Sequence, residues 1–222
     1  MILGQGSYGK VSIKNNKAVK KFNKLSHLIQ EYIALKYLKD CNYIVQLESA
    51  NFKDLELYME LYDCNLRVWL ENHQEDENYF QYITKIIHDV LMGLIELHDR
   101  NLVHGDLKPS NILIKEQPLK AVLGDCGFVS VSKYAKVDRT APIYRDPIIS
   151  FDKSHDMFSL GVCLIEILGR VRIYQQLNYK ELKAIAKDNI SISKYYKVVS
   201  KLISKDKSKR PNARELLNYL FK

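Results

Sequence analysis

The chain of 222 residues contains only four cysteines, and they lie far apart in the sequence. Because Cys41, Cys64, Cys126 and Cys163 form no Cys-x-x-Cys pair, the sequence favours neither a zinc site nor a disulfide framework. Cysteine usage of this kind is typical of a reducing compartment. We therefore expect reduced thiols and a cytoplasmic protein.

Long apolar runs are also absent. The longest, Met157 to Leu168, has twelve residues and includes Ser159 and Glu166, so it is too short and too polar to span a bilayer. The first residues lack the basic segment and apolar segment of a secretory signal. We expect no membrane span and no export.

No internal repeat and no linker rich in proline or serine divides the chain. A chain of this length can bury one core, or two small lobes that share a cleft. We predict one domain over residues 1–222, with a first lobe and hinge at 1–62 and a second lobe at 63–222.

The charge is basic, with a net value of +8 and a pI near 9.1, but no field of one sign dominates. Basic clusters at 14–24 and 201–210 are explained by solvated faces, and an acidic patch lies at 71–77. We expect no specific nucleic-acid binding.

Abundant Lys, Asn, Ile and Tyr are typical of AT-rich genomes, including those of large DNA viruses, and a viral source would place the protein in the host cytoplasm.

The periodicity predicts a sheet-rich first part. Two strands, 11–14 and 18–22, flank a turn at Asn15 and Asn16, residues that tolerate positive φ. A helix follows that Ser26 is expected to cap, and further strands are predicted at 44–47 and 55–61.

Beyond Cys64 the pattern turns helical, with apolar residues at helical spacing over 79–98. A short β segment and an irregular stretch are predicted next, followed by helices to the end. A sheet-rich lobe followed by a larger helical lobe is an α+β architecture with two lobes.

One segment, residues 104–111, reads His-Gly-Asp-Leu-Lys-Pro-Ser-Asn, and Asp125 follows fourteen positions later in Gly-Asp-Cys-Gly. Apolar runs of two residues at 102–103 and three at 112–114 predict short strands on both sides of this segment. An acid, a lysine, an amide and a second acid are thus placed on loops, in the order used for phosphoryl transfer.

Residues 4–11 read Gly-x-Gly-x-x-Gly-x-Val, a loop whose missing side chains let backbone N–H groups approach phosphates. A dinucleotide-binding fold needs a helix at these glycines, whereas here a second strand follows. Lys20 closes Lys-Ala-Val-Lys nine positions after Val11.

These motifs, in this order, resemble the eukaryotic protein kinase family over nearly the whole chain. The resemblance implies that Asp106 is the catalytic base, that Lys108 contacts the γ-phosphate, and that Asn111 and Asp125 hold the metal. It implies ATP and Mg²⁺ as cofactors, with Mn²⁺ as an alternative metal.

The resemblance also implies that Glu31 pairs with Lys20 and that Met59 precedes the hinge. A pair between Lys20 and Glu31 would hold the α- and β-phosphates. Further nucleotide-binding residues implied in this way are Gly4, Gly6, Gly9, Val11, Ala18, Glu60, Tyr62 and Leu113.

Three functions remain open at this point. The segment Lys-Pro-Ser-Asn resembles that of serine/threonine kinases, and the resemblance implies protein substrates. We expect a monomer. A kinase-fold scaffold or pseudokinase would bind partners with little turnover. Phosphorylation of a small molecule uses the same acid and metal residues, but the Lys-Pro-x-Asn segment and the Tyr-Pro region at 144–147 argue against it.

Departures from the family pattern carry further expectations. Gly105 replaces an arginine that usually meets a phosphate, as is also seen in the vaccinia-related kinase group, so we expect activity without activation-loop phosphorylation. Cys126 replaces a phenylalanine, which predicts looser packing under the first helix.

The resemblance assigns structural roles to two acids. Asp156 is expected to anchor the backbone of the 104–111 segment. Asp146-Pro147-Ile148 stands in place of Ala-Pro-Glu, so the usual ion pair with Arg210 requires Asp146 as a substitute. Candidate autophosphorylation sites in the activation loop are Ser130, Ser132, Tyr134 and Thr140.

Overall fold

The structure, a computed structural model, describes residues 2–6, 9–131, 141–147 and 152–222. Its first part is a five-stranded antiparallel sheet with the order β1-β2-β3-β5-β4. The strands are β1 Ile2–Gly6, β2 Gly9–Lys14, β3 Lys17–Phe22, β4 Leu47–Asn51 and β5 Glu56–Met59.

The β2–β3 hairpin forms as predicted. Asn15 and Asn16 both have positive φ, 51° and 58°, which suits a tight two-residue hairpin turn. Val11 and Lys20 are cross-strand partners. At Gly9 an added Cβ would lie 2.1 Å from the carbonyl oxygen of Lys21, so only glycine fits this close approach.

Helix α1, Leu25–Tyr37, packs on the sheet through Leu28, Glu31 and Leu35. The prediction that Ser26 caps this helix is wrong, because the N-cap position is Lys24 and no side chain caps it. The helix therefore owes its position to tertiary packing rather than to a local end signal.

The predicted strand at 44–47 is also wrong, since β4 begins only at Leu47. Ile44 and Val45 are buried against the second part of the chain, and the Val45 N–H donates to Leu123 O at 2.9 Å. This apolar run therefore joins the two parts of the molecule rather than extending the sheet.

The second part is helical. Helix α3 forms where the periodicity predicts it, and α4 is buried along nearly its whole length, from His155 to Leu168. No helix in the described ranges is long and apolar enough to cross a membrane. The helices are α2 Leu66–Asn72, α3 Tyr79–Asp99, α4 Lys153–Gly169, α5 Tyr179–Asn189, α6 Ser193–Leu202 and α7 Ala213–Phe221.

Short strands flank the two motif segments, residues 104–111 and the segment around Asp125. Residues 104–111 run from the end of β7 to the start of β8, as predicted, and Asp125 follows β9. The short strands are β6 Cys64–Asn65, β7 Leu102–Val103, β8 Ile112–Glu116, β9 Leu119–Leu123 and β10 Ser130–Val131, with β6-β8-β9 and β10-β7 antiparallel.

Candidate active site

The buried carboxylate of Asp156, near the start of α4, anchors the 104–111 loop. It accepts the His104 N–H at 2.8 Å and the Gly105 N–H at 2.9 Å. The His98 ring lies 2.9 Å from the same carboxylate. The predicted anchoring role of Asp156 is confirmed.

The charge on Asp156 is maintained despite its burial. Burial works to raise the pKa of Asp156, but the hydrogen bond and charge of His98 hold this pKa below its ordinary value of 3.8. An ionised Asp156 is the form that accepts two backbone N–H groups.

Gly105 has a backbone role that the sequence did not reveal. Its φ is 81°, a left-handed value that L side chains rarely adopt. Glycine at this position therefore removes an arginine and also relieves backbone strain. Nothing in a single sequence signals the second effect, because φ depends on how Asp156 holds the loop.

Asp106 lies at the centre of a network of donors, with both carboxylate oxygens engaged. Lys108 Nζ lies 2.6 Å from Oδ2, and Asn111 Nδ2 lies 2.9 Å from the same atom and 2.8 Å from the Asp106 carbonyl. The Ala141 N–H donates to Oδ1 at 2.9 Å. The structure thus brings three predicted site residues together and adds a backbone donor that sequence reasoning missed.

Lys20 connects the sheet to the second acidic motif. Its Nζ lies 2.6 Å from Glu31 Oε2 and 2.6 Å from Asp125 Oδ1. Lys20 is 8% exposed and Glu31 is 1% exposed. The predicted Lys20–Glu31 pair is confirmed.

The electrostatics keep this lysine charged. Burial works against the charge, but Glu31 and Asp125 together raise the pKa of Lys20 above 10.5. Burial raises the pKa of Glu31, with Lys20 opposing the shift. Burial also opposes ionisation of Asp125, but Lys20 and Lys108 hold its pKa below 3.8. Asp125 is therefore an anion at neutral pH.

The backbone around Asp125 is closely constrained. Asp125 itself is left-handed, with φ 53° and ψ 62°, and such values in a non-glycine residue cluster at functional sites. A Cβ at Gly127 would lie 3.1 Å from Glu31 Oε2. His104 Nε2 lies 3.0 Å from the Gly124 carbonyl oxygen, which ties the two motif segments together.

The donor set around Asp125 fits Mg²⁺. Because Asn111 Nδ2 is bound to Asp106, the amide oxygen is the group left to act as a ligand together with Asp125. No group of three or more His, Cys, Asp or Glu suited to a metal occurs in the part of the chain that the structure describes. Mg²⁺ usually takes one or two carboxylates and completes its shell with phosphate oxygens and water.

The predicted nucleotide residues lie in the first sheet, in the segment between β5 and β6, and in β8. Val11 and Ala18 in the sheet and Leu113 in β8 are half-buried. The side-chain hydroxyl of Tyr62 donates to Glu60 Oε2 at 2.9 Å. Among the described residues, no hydrogen bond engages the Glu60 carbonyl or the Tyr62 N–H.

The glycine loop is described only in part. Gly4 lies opposite Val11, and Gly6 lies opposite Gly9, in the β1–β2 pair. Residues 7–8 between the last two glycines are outside the described residues. Phosphate contacts of this loop stay a prediction.

Asp146 does substitute for the missing glutamate. Arg210 Nη1 donates to Asp146 Oδ2 at 2.5 Å, and both side chains are buried. The other oxygen of Asp146 accepts from the Tyr179 hydroxyl at 2.6 Å, and the Arg210 guanidinium lies over the Phe158 ring. The ion pair therefore forms from a position two residues before that of the usual glutamate.

Cys126 is completely buried, in the short 3-10 turn that packs under α1. Whether packing there is looser stays a prediction.

Ser130 lies in β10 with a buried hydroxyl oxygen, which argues against it as a phosphorylation site. The other candidate positions, Ser132, Tyr134 and Thr140, and Ile148 lie outside the described residues.

Comparisons with known proteins agree with this geometry. The protein kinase domain model matches residues 1–221. Serine/threonine-protein kinase dst1 of Dictyostelium discoideum is 30% identical over 254 aligned positions, covering 99% of this chain and 33% of dst1.

Two further relatives are protein kinases with other descriptions in their names. The interferon-induced, double-stranded RNA-activated protein kinase of Rattus norvegicus is 26% identical, covering 78% of this chain and 36% of the relative. The membrane-associated tyrosine- and threonine-specific cdc2-inhibitory kinase of Drosophila melanogaster is 28% identical, covering 73% of this chain and 33% of the relative. The chain spans about a third of the length of these three relatives. By its motifs, its fold and the match over residues 1–221, the chain belongs to the protein kinase family.

Proposed function

We propose that the protein transfers the γ-phosphoryl group of Mg-ATP to serine and threonine hydroxyls of proteins. The observation that carries the proposal is the position of Lys20 Nζ, 2.6 Å from both Glu31 and Asp125. This contact joins the sheet, α1 and the second motif segment in one arrangement. A scaffold that only binds partners has no need for such a buried charge cluster, which is costly to assemble.

Each residue of the cluster has a chemical role in this proposal. Asp106 orients the substrate hydroxyl and takes its proton, and the Ala141 N–H at Oδ1 fixes the direction of the carboxylate. Lys108, beside Asp106, offsets the negative charge of the transferring group. Lys20 holds the α- and β-phosphates.

Magnesium, held by Asn111 and Asp125, would neutralise charge on the phosphate oxygens when bound. The left-handed backbone of Asp125 directs its carboxylate toward Lys20. Adenine would meet the Glu60 carbonyl and the Tyr62 N–H, with Val11, Ala18 and Leu113 as apolar contacts.

Serine/threonine specificity rests on Lys-Pro-Ser-Asn at 108–111 and on relatives with that activity in their names. A tyrosine- and threonine-specific relative also matches, so specificity for the acceptor hydroxyl is part of what must be tested. Phosphoamino-acid analysis of the product separates these outcomes.

We also propose activity without phosphorylation of the activation loop. Gly105 supplies no cation for a loop phosphate, and Lys20 Nζ lies 2.6 Å from Glu31 Oε2 between the sheet and α1. Both observations favour a site that is assembled by packing alone.

ATP turnover with a mixed protein substrate tests the proposed activity. Asp106→Asn and Asp125→Ala should each lower the rate by roughly 10²- to 10⁴-fold, because one removes the proton acceptor and the other a metal ligand. Asp54→Asn is the control and should keep the native rate, because this carboxylate is exposed and its Oδ2 accepts from Asn51 Nδ2, outside the catalytic cluster. Equal background transfer by native, Asp106→Asn and Asp125→Ala proteins would instead support the scaffold.

A further inference from the structure

The net charge of the protein is concentrated in its last three helices. Residues 1–177 contain 22 lysines and arginines and 22 acids, whereas residues 178–222 contain twelve lysines and arginines and four acids. The whole net charge of +8 therefore belongs to the segment that forms α5, α6 and α7. Basic charge confined to one part of a chain is typical of a surface that binds a polyanion.

Part of this charge is neutralised by ion pairs within the fold. Four of the twelve basic side chains pair with acids, in the pairs Lys207–Asp152, Lys209–Asp206, Arg210–Asp146 and Arg214–Asp99. Seven exposed lysines have no carboxylate at ion-pair distance in the part of the chain that the structure describes. They are Lys180, Lys183, Lys187, Lys194, Lys197, Lys201 and Lys205. More than half of the basic charge of this segment thus faces solvent.

Three of these lysines share one side of α6. Lys194, Lys197 and Lys201 are three and four positions apart, so they lie within about 60° of one another around the helix axis. The apolar side of α6 is buried in the core, and the helix contains no acid. The α6 lysine row consists of these three residues and Lys205, just beyond the helix end.

The acids near the α6 lysine row do not cancel its charge. Glu181 and Glu215 each close the capping box of their own helix, α5 and α7. Asp206 accepts the Ser208 N–H at 3.1 Å and pairs with Lys209. The exposed acids of α5 at 181 and 188 lie about 120° around that helix from its three lysines. Helix α4, which packs against α6, has only buried acids. The potential over the row is therefore positive.

The shape and composition of this face favour nucleic acid over other polyanions. A membrane is disfavoured, because the apolar side of α6 is buried and a basic surface without an inserted anchor attaches only weakly. An acidic protein is disfavoured, because lysine is depleted at protein interfaces. Duplex nucleic acid carries one charge per about 1.7 Å, so the roughly 10.5 Å from Lys194 to Lys201 would face about six phosphates.

One end of the row is held in place by α7. Lys194 Nζ donates to the Leu220 carbonyl oxygen at 3.1 Å and lies 5.5 Å from the ring centroid of Tyr219. Tyr219 is 51% exposed, and its hydroxyl is a further donor for a phosphate oxygen. The row therefore begins at a position that is ordered before any ligand binds.

We propose that the α6 lysine row binds the phosphate backbone of nucleic acid independently of base sequence. Lysine acts as a point charge and lacks the paired donors with which arginine and the amides read base edges. Phosphate contacts alone give dissociation constants of about 10⁻⁶–10⁻⁴ M at physiological salt. The binding does not depend on the proposed phosphoryl transfer.

Salt dependence tests the number of phosphates that the row contacts. Fluorescence anisotropy with a labelled duplex of roughly 20 base pairs measures the binding. Four lysines predict a slope of about −3.6 in log K against log salt, so binding should weaken roughly 100-fold between about 50 mM and about 200 mM salt. A second duplex of shuffled sequence should bind equally well.

A charge-matched pair of variants locates the site. Lys197→Gln/Lys201→Gln should weaken binding at least about tenfold at about 0.1 M salt and reduce the salt slope by about two. Lys36→Gln/Lys39→Gln is the control, because it removes two exposed lysines and the same charge outside α5, α6 and α7. The control should change the affinity less than about twofold, since distant exposed charges are screened beyond about 10 Å.

Four results would overturn the proposal. They are no binding of either duplex at the lower salt, a salt slope that Lys197→Gln/Lys201→Gln leaves unchanged, equal weakening by both double variants, and a strong preference for one of the two sequences.

Further ligands distinguish the source of the anion. Duplex DNA and duplex RNA of one sequence separate the two forms of the backbone, and binding of either that depends on the row supports the proposal. Phosphatidylserine vesicles and a polyglutamate peptide represent a membrane and an acidic protein. Tighter binding of either of these than of both duplexes, lost in Lys197→Gln/Lys201→Gln, would contradict nucleic acid as the ligand.

Discussion

The left-handed backbone of Gly105 connects a missing arginine to a structural requirement. Gly105→Arg should restore the family's usual residue but force it to φ near 81°, at a cost of about 1–2 kcal/mol in the free energy of unfolding. Gly105→Ala should cost a similar amount, because the strain comes from Cβ and not from the charge. Denaturant unfolding of both variants measures this effect.

A stable Gly105→Arg variant beside a destabilised Gly105→Ala variant would show that the guanidinium finds a compensating partner. In that case the backbone account of Gly105 would be wrong. Gly105→Asn offers a further comparison, since asparagine tolerates positive φ better than alanine does.

Asp156 determines the stability of the loop that carries Asp106. Asp156→Asn should lower the free energy of unfolding by about 3 kcal/mol, because the amide leaves one buried N–H of His104 or Gly105 without an acceptor. Asp99→Asn is the control. Asp99 and Arg214 form an exposed ion pair, so its loss should cost no more than about 1 kcal/mol.

The same carboxylate predicts a pH dependence. The pKa of folded Asp156 lies below its ordinary value of 3.8, so its stabilising contribution is present above about pH 4 and is lost as the pH falls through the folded pKa. The stability difference between the native protein and Asp156→Asn should be constant from neutral pH to about pH 5 and shrink below about pH 4. A difference that grows on acidification would contradict this assignment.

At the scale of elements, the Asp146–Arg210 pair fixes the segment before α4 to the segment before α7. Asp146→Ala should cost about 3–5 kcal/mol, because it leaves the buried charge of Arg210 without its carboxylate. Arg210→Met in the same chain should recover part of this loss, which a double-mutant cycle by denaturant unfolding measures. Additive losses would mean that the two side chains are not energetically coupled.

Local patterns predicted the elements that depend on local physics. The β2–β3 hairpin follows from two asparagines that adopt positive φ, and α3 follows from a long apolar stripe. Sequence reasoning failed where tertiary contacts decide the outcome. Ser26 does not cap α1, and Ile44 and Val45 are buried against Leu123, so that the strand begins only at Leu47.

At the scale of the whole molecule, the resemblance to the kinase family predicted that Lys20 would pair with Glu31, but not that it would also contact Asp125. Lys20 and Asp125 are 105 positions apart and lie 2.6 Å from each other. Their types and order indicated the chemistry, but the Ala141 N–H at Asp106 and the left-handed Gly105 depend on backbone geometry, which leaves no side-chain signature. Asp146 as the partner of Arg210 was open in the sequence, because two residues separate it from the usual acidic position.

Packing contacts join the described parts of the site. Asp156 holds the loop of Asp106, and the 3-10 turn after Asp125 packs under α1, which carries Glu31. The whole cluster is thereby joined to one continuous core. The proposed activity without phosphorylation rests on this packing, which would align Lys20, Glu31 and Asp125 without a covalent switch.

The most direct test is the initial rate of phosphoryl transfer by protein shown by intact mass spectrometry to carry no phosphate. The native chain should phosphorylate a protein substrate without a lag, and prior incubation with Mg-ATP should not increase the rate. No turnover, or a lag that prior incubation with Mg-ATP removes, would contradict an active site assembled by packing alone.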